Sequence, residues 1–521
     1  MNNPQLTSTC EVKINNPRQR LPLDVPSIRI LLYADDPNGI RTGNDTSDLN
    51  TMIDHLRARD PAFGHFEVTW MSRNCPGSDN RLTPQRLQLF DEIWFFGIHQ
   101  LNNEPDAPQS ELDQQELLAL TDWMKIDDTQ GFTGGGVLMT GDHNDIRPDG
   151  GTAGQNPSCP DTSTEALLGL GRALGRCVPR AGLLRKWEGF PTNNPPENRF
   201  NTQTPSQGLG TLGGQLQTDA SPMLLVLSRF DATGNPTSTD GDPHPLFKSL
   251  QGRVIQAFPD HIHEGAVVIP DTFDESIWPK GQVIWPKPQV VARGLDYHNG
   301  ALGNVLAAYD GDAAAVGRVV ADSTWHHYIN ENLENFPPGA PVNSNADQIG
   351  QFYANLALWL VPFEKRAQMA LFMFAWLASR LSVREESRAA ANEGNEPSLE
   401  QVAAVGRAAY LELSRVASPC EVHELLTALL PPEYREHFPT IYLPETGVSL
   451  SLFPSKEITL GFIIDSYQRA IIKLPDINPE ERRSRVVASI WDGFRLAFKS
   501  HVNILTHFAE EARKAHDLSF D

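Results

Sequence analysis

Residues 111–143 read ELDQQELLALTDWMKIDDTQGFTGGGVLMTGDH, and this stretch predicts the fold class. Its first part, 111–125, carries apolar residues at the spacing of an amphipathic helix. Residues 134–141, GGGVLMTG, follow as a short apolar run of the kind that forms a buried strand. A helix that leads into such a strand is one repeat of an α/β sheet.

The same alternation runs through the residues upstream. IRILLYAD (28–35), FEVTW (66–70) and DEIWFFGI (91–98) read as strands, and helical spacing lies between them. Strands that alternate with helices form right-handed βαβ units. Together with further strand patterns up to GRVVADS (317–323), they predict an α/β fold with a mostly parallel, doubly wound sheet.

Changes in composition predict the domain organisation. Residues 1–26 are a polar, proline-punctuated lead-in, and residues 27–345 form the α/β domain. Within that domain, residues 145–220 lose their periodicity and are rich in Gly, Pro, Asn and Gln, which predicts an irregular insertion. Residues 346–521 show helical spacing and predict an all-α C-terminal domain.

Helix-start signals are clear in this C-terminal part. Ser398 and Gln401 have the spacing of a capping box. Asn478 and Pro479, followed by two glutamates, are typical of a helix N-terminus. The helices that follow have broad apolar faces, so we expect them to offer a surface for a homo-oligomer or a protein partner.

Net charge and hydropathy narrow the choice of partners. The formal net charge is −22, and such a surface repels the phosphates of nucleic acids and anionic membranes. The most apolar window, residues 369–381, is too short to cross a bilayer and predicts a buried helix. We therefore expect a small-molecule ligand, with no nucleic acid and no membrane as partner.

The cysteines and the first residues of the chain predict a cytoplasmic protein. Residues 1–17 lack the apolar core of a secretory signal. The cysteines are scattered and form no CxxC pair, as is typical of reduced thiols. They are Cys10, Cys75, Cys159, Cys177 and Cys420.

Three clusters of histidines and acids each follow a strand-like run. In an open parallel sheet, the loops after the strands lie at one edge, where ligands bind. We therefore expect the three clusters to converge on one pocket. The clusters are Asp142, His143 and Asp145; Asp260, His261, His263 and Glu264; and Asp322, His326 and His327.

The second cluster has the pattern of a metal site. Side chains two apart in an extended segment share a face, so His261 and His263 can point at one centre. Two imidazoles with Glu264 or Asp260 suit a divalent zinc, manganese or iron ion. The same HxH pair also occurs by chance in many chains, where it binds nothing.

The first and third clusters offer proton-transfer groups. Asp142 and His143 stand on a tight turn after a strand, a place where a side chain is exposed at the sheet edge. Asp322 ends the late strand, and Ser323 or Thr324 can cap a following helix. Adjacent histidines face different ways, so we expect one of the pair, here His326, to enter the pocket. Local capping and loop contacts are the alternative role for all of these residues.

The order of elements resembles the class I glutamine amidotransferase-like superfold, and within it the ThuA-like (trehalose-utilisation) branch. The likeness lies in IRILLYADD, in DEIWFFG, in ELLALTDWMKIDDTQGFTGGGVLMTGDH and in GRVVADSTWHH, and it covers about residues 27–360. It implies a flavodoxin-like or amidotransferase-like sheet. Because ThuA-like proteins are linked to carbohydrate metabolism, it also implies a sugar-like ligand.

One departure from that superfold limits the reaction. Its glutaminases need a cysteine on the turn after this strand for thiolate attack, and here the turn reads Gly141-Asp142-His143. We therefore expect an enzyme that is not a glutaminase, a hydrolase or isomerase that acts on a polar small molecule by metal-assisted or acid–base chemistry. The rival hypothesis is a non-catalytic ligand sensor or scaffold whose helical domain mediates protein–protein interaction.

Overall fold

The chain folds as a mixed α/β protein, with a large sheet of parallel and antiparallel strands and helices in its C-terminal part. The structure is a computed structural model. It describes residues 11–14, 26–34, 41–45, 48–59, 61–73, 75, 78–96, 112, 114–127, 132–140, 184–186, 223–231, 236–237, 241–249, 253–259, 266–268, 289–295, 302–312, 316–334, 336–338, 340, 344–380, 382–383, 385–386, 398–431, 455–472 and 479–518.

The secondary structure elements are numbered in chain order. The strands are β1 (Glu11–Ile14), β2 (Ser27–Ala34), β3 (His65–Ser72), β4 (Glu92–Phe96), β5 (Ile126–Asp127), β6 (Phe132–Thr133), β7 (Gly136–Thr140), β8 (Leu184–Lys186), β9 (Met223–Leu227), β10 (Arg229–Phe230), β11 (Pro236–Thr237), β12 (Asp242–Pro243), β13 (Ala257–Phe258), β14 (Ala266–Val268), β15 (Gln289–Leu295), β16 (Leu302–Tyr309) and β17 (Val319–Asp322). The helices are α1 (Asn50–Ala58), α2 (Pro84–Leu87), α3 (Gln114–Met124), α4 (Asn345–Leu360), α5 (Phe363–Ser379), α6 (Leu399–Leu413), α7 (Pro419–Ala428), α8 (Lys456–Ile472) and α9 (Pro479–Leu518).

A ten-stranded sheet has the order β1-β3-β2-β4-β7-β17-β16-β15-β9-β13. The five strands from β3 to β17 in that order pair in parallel. The neighbours on both sides pair antiparallel, β1 at one edge and the strands from β16 to β13 at the other. The mostly parallel sheet expected from the sequence is thus found in the centre, and the expectation is wrong for the later strands.

Short connections explain the antiparallel part. Residues 296–301 link β15 to β16, and residues 310–318 link β16 to β17. A parallel neighbour needs a crossover of about a dozen or more residues, which usually contains a helix. These two links are shorter than that, so each strand has to run back beside the one before it.

The parallel centre forms the core of the sheet. Residues 30–34 of β2 are fully buried, as expected for a strand covered on both faces. Alternate residues of the central strands share one buried cluster with α3, in which Leu31, Ile93 and Val137 accompany Leu120 and Trp123. Helix α4 packs against α1 and β7. These contacts hold the carboxyl ends of the parallel strands at a common edge.

Two compact units divide the chain. The first contains Met1–Ser228 and Pro243–Lys365, and the second contains Arg229–Asp242 and Arg366–Asp521. Helix α4, which the sequence analysis places in the helical domain from residue 346, lies in the first unit because its apolar side packs on α1 and β7.

The N-terminal residues differ from the sequence expectation in two ways. Strand β1 lies within the stretch described as a polar lead-in, and it pairs with β3 from Glu11 opposite Met71 to Ile14 opposite Val68. Cys75 is disulfide-bonded. The expectation that all cysteines are reduced thiols is therefore wrong for Cys75.

Of the predicted insertion 145–220, the structure describes β8, which pairs with β14.

Helices make up most of the second unit. The Ser398 hydroxyl accepts a hydrogen bond from the Gln401 backbone amide (3.3 Å), and the Gln401 side chain accepts one from the Ser398 amide (2.8 Å). This capping box confirms the predicted start of α6, and α9 begins at Pro479 as predicted. Residues 229–242, which form most of the small sheet β11-β10-β12, also belong to this unit.

The most apolar window of the sequence lies in α5. Met369, Met373, Phe374 and Leu377 are buried along one side of that helix, which confirms the prediction of a buried helix. None of the helices in the described ranges combines the length and the apolar composition needed to cross a membrane.

His55 is a buried, neutral contact between α1 and the later part of the first unit. Its Nε2 lies 2.6 Å from the Phe336 carbonyl oxygen, which it can only reach as a donor. Its ring lies 5.9 Å from that of Tyr353 on α4. Burial lowers the pKa of His55 from 6.5 to about 4, and the Phe336 carbonyl opposes that shift in part.

We predict a loss of stability in mild acid that depends on His55. Because the unfolded histidine titrates near 6.5 and the folded one near 4, the unfolded chain binds the extra proton between those pH values. The free energy of unfolding should fall by about 3 kcal/mol as the pH drops through that window, and it should be unaffected by this group above it. Denaturant unfolding of the wild type and of His55→Gln at pH 7 and pH 4 measures the difference. The exposed His65, changed to Gln, is the control, and the same acid sensitivity in His55→Gln would contradict a buried neutral His55.

Candidate functional site

The candidate site lies where β7 and β17 end side by side. These parallel strands pair in register from Val319 opposite Val137 to Asp322 opposite Thr140. The Thr140 hydroxyl donates to the Phe95 carbonyl (2.7 Å) and ties the end of β7 to β4. Asp322 is therefore next to the point at which the chain leaves β7. Asp142 and His143, which follow β7 in sequence, lie outside the described residues.

Asp322 accepts hydrogen bonds from three neighbouring groups. His327 Nδ1 lies 2.8 Å from one carboxylate oxygen, and the Tyr328 hydroxyl donates to the other oxygen over 2.9 Å. The Thr324 amide approaches the first oxygen at 3.4 Å. Because the Asp322 side chain is buried, these donors replace the water that an ionised carboxylate needs.

A single helical turn brings these donors to the carboxylate. The Thr324 hydroxyl caps a 3₁₀ helix, Trp325–Tyr328, by accepting from the His326 amide (3.1 Å), which confirms Thr324 as one of the two predicted caps. The turn folds back over the end of β17, and so His327 and Tyr328 reach Asp322 from only a few residues away. The sequence predicts an ordinary helix start here, and the structure has a short 3₁₀ helix.

His327 is held from several sides. The Asp322 carboxylate can only accept, so His327 Nδ1 carries the proton of that hydrogen bond. The Tyr353 hydroxyl, from α4, donates to the His327 backbone carbonyl. The Phe258 ring lies edge-on to the imidazole with 5.1 Å between ring centroids. The side chain is fully buried, so its orientation is set by packing as well as by the carboxylate.

His326 faces a different neighbour. Its ring stacks on Trp325, with 3.8 Å between centroids, and its carbonyl accepts from the Asn332 side chain (2.9 Å). From the sequence, His326 is the predicted proton-transfer group, whereas the structure pairs Asp322 with His327. The expectation that the two adjacent histidines have separate surroundings is met.

Burial keeps the two tyrosines of the site protonated. Burial and the nearby Asp322 charge raise the pKa of Tyr328 well above its ordinary value of 10. The same two causes raise the pKa of Tyr353. Both hydroxyls therefore remain hydrogen-bond donors at neutral pH.

Phe258, which precedes the second cluster in sequence, lies beside this site. In sheet order β13 is four positions from β17, yet the Phe258 ring on β13 lies 5.1 Å from His327 and 4.5 Å from Phe352. The antiparallel part of the sheet must therefore curl back towards the end of β17. His261, His263 and Glu264 follow Phe258 closely in sequence and lie outside the described residues. Within the described ranges, no three His, Cys, Asp or Glu side chains are grouped as metal ligands.

The sequence places His327 in the third cluster but favours His326, and it carries no motif for Tyr328 or Tyr353. The 3₁₀ turn brings His327 and Tyr328 to Asp322, and the packing of α4 brings Tyr353 to the His327 carbonyl. An aspartate at a strand end with a histidine five residues later was the one local signal available.

No family model, curated protein or solved structure matches the chain. The chemistry of the Asp322 site therefore rests on the residues and distances given above.

Proposed function

We propose that the protein is an enzyme that acts on a polar small molecule by general acid–base chemistry, with Asp322 and His327 as its proton-transfer pair. The observation that carries this proposal is the 2.8 Å contact between His327 Nδ1 and the Asp322 carboxylate. With Nδ1 protonated, the neutral imidazole has its lone pair on Nε2. In this tautomer Nε2 is the atom through which His327 would act as a base.

The surroundings of the pair suit that role. As His327 takes a proton from water or from a substrate hydroxyl, the Asp322 charge stabilises the imidazolium that forms. The Tyr328 hydroxyl and the Thr324 amide hold the carboxylate in place while this happens. A positioned acid–base group of this kind contributes roughly 10²–10⁴-fold to a rate.

The fold we propose for the parallel centre is flavodoxin-like, as in the ThuA-like branch of the amidotransferase-like superfold. Across the sheet, the five parallel strands have the order β3-β2-β4-β7-β17. If they are numbered 1 to 5 along the chain, this order reads 2-1-3-4-5, which is the flavodoxin-like order. That order supports the resemblance, and Asp142 and His143 then occupy the turn that holds cysteine in glutaminases. Hydrolysis or isomerisation of a carbohydrate-like substrate is the reaction this resemblance favours.

A divalent metal forms part of the proposal. If residues 261–263 are extended, His261 and His263 share a face and would hold zinc, manganese or iron together with Glu264. Support comes from Phe258, which precedes His261 by three residues and whose ring contacts His327. Such a metal, when bound, would lower the pKa of a coordinated water.

The acid–base proposal predicts an activity that depends on His327. A panel of nitrophenyl glycosides, carboxylic esters and phosphate esters tests the hydrolytic version. Any turnover found should fall by roughly 10²–10⁴-fold in His327→Gln. Asp322→Asn should reduce it too, because an amide can donate to Nδ1 and favour the wrong tautomer.

Burial also suits a purely structural role for the pair, and the same variants separate the two roles. His65→Gln, on the exposed part of β3, is the control for activity and for thermal unfolding. A variant that unfolds at the wild-type temperature but has lost turnover supports catalysis. Wild-type turnover in a folded His327→Gln would contradict it.

The metal prediction is tested separately. The purified protein should contain about one zinc, manganese or iron ion per chain, and the double variant His261→Ala, His263→Ala should contain none. Elemental analysis before and after reconstitution measures both. If the protein contains no metal before or after reconstitution, the metal proposal is wrong, and the acid–base proposal at Asp322 is unaffected.

A second candidate function is protein–protein association through the helical unit. Helix α9 has 40 residues and α8, which packs against it, has 17, which correspond to lengths of about 60 Å and 25 Å. The helices cross closely at Gly493, where a Cβ would come within 2.6 Å of the Ile463 Cα. Beyond His501, which is fully buried, the described side chains of α9 are half-buried or exposed, and Phe508 is 53% exposed.

The scaffold alternative predicts a change in oligomeric mass. Phe508 continues the apolar face that α9 buries against α8, so Phe508→Glu should disrupt a self-associated form. Light scattering after gel filtration measures the mass. Leu496→Glu, on a different face of the same helix, should leave the mass unchanged. A wild-type monomer at the highest concentration reached would contradict self-association.

A further inference from the structure

A polar cavity lies at the carboxyl end of β3. It has a volume of about 420 Å³ and is lined by Arg73, Cys75, Ser78, Asp79 and Arg81. In sheet order β3 is four positions from β17, so the cavity is about 19 Å across the sheet from the Asp322 site. We propose that this cavity binds a small organic anion with a hydroxyl group, independently of the acid–base site.

A buried arginine forms the floor of this cavity. The Arg73 side chain is 7% exposed, and its Nε and Nη2 contact one Glu116 oxygen at 3.0 and 2.7 Å. The other Glu116 oxygen accepts from Arg73 Nε at 3.2 Å and from the Leu82 amide at 3.1 Å. This ion pair fixes the guanidinium plane at the cavity, so its N–H groups have a set direction.

The wall of the cavity is irregular backbone held by side chains. The Tyr33 hydroxyl donates to the Asn80 carbonyl (2.9 Å), and the Asn80 amide donates to the Ser72 carbonyl (2.8 Å). Arg86 donates to the carbonyls of Asp79 (2.9 Å) and Arg81. These hydrogen bonds hold residues 79–81 in place before a ligand arrives, which lowers the entropic cost of binding to them.

The lining defines the class of ligand. Guanidinium groups bind carboxylates and phosphates, and Arg73 and Arg81 place two of them at the cavity. The Asp79 carboxylate and the Ser78 hydroxyl can accept hydrogen bonds from a neighbouring hydroxyl group. The volume suits a small molecule. An oxyanion that also carries a hydroxyl, such as an acidic or phosphorylated sugar fragment, can form hydrogen bonds with both sets of groups.

Calorimetry with four probes tests the site. The phosphate arm compares inorganic phosphate with glycerol 3-phosphate, and the carboxylate arm compares acetate with glycerate. One hydroxylated probe should bind with a dissociation constant of about 1 mM or tighter, and the plain anion of that arm more weakly. Arg81→Gln should weaken binding about tenfold or more, because a charge-assisted hydrogen bond is lost. Asp79→Asn should remove the preference for the hydroxylated probe.

Two controls make the outcome decisive. Arg407→Gln, at an exposed position of α6, should bind as the wild type does. His327→Gln should also bind normally, so a failure of the acid–base proposal does not affect this test. Binding that Arg81→Gln leaves unchanged would mean an adventitious ion only. Binding that is absent for all four probes would overturn the proposal as well.

Discussion

The parallel pairing of β17 with β7 is the constraint on which the rest of the first unit depends. It joins strands formed by residues 27–140 to the antiparallel strands formed after residue 222. Both strands are fully or largely buried, so a shift by one residue would turn every side chain to the other face. The pairing therefore fixes Asp322 beside Thr140 and sets the place of the candidate site.

From that position, the chemistry of the site follows from local structure. A buried carboxylate must be paired with donors, and the capped 3₁₀ turn after β17 supplies His327 and Tyr328 within six residues. The long helix α4 then contributes Tyr353 from the side. The same edge of the sheet carries the Arg73 cavity at the end of β3, so one architecture positions two polar sites of different character.

Much of the fold could be predicted because apolar periodicity is a local signal. The central strands, α3 and the capping box of α6 follow from it directly. Strand direction after residue 222 could not be predicted from periodicity, since it depends on how short links turn the chain. The pairing of β1 with β3 was hidden because β1 is a short polar edge strand. At the site, Asp322 was predictable from its place after a strand, whereas the choice of His327 over His326 depends on the geometry of one turn.

The central claim is that the strand ends gather the histidine clusters at one edge of the sheet. A crystal structure that places the side chains of His143, His261 and His327 measures this most directly. The fold described here predicts that His143 and His261 each lie within about 10 Å of His327, the distance that separates packed sheets. If either His143 or His261 lies much farther than this from His327, the result would contradict a common pocket, and Asp322 and His327 would be an isolated pair.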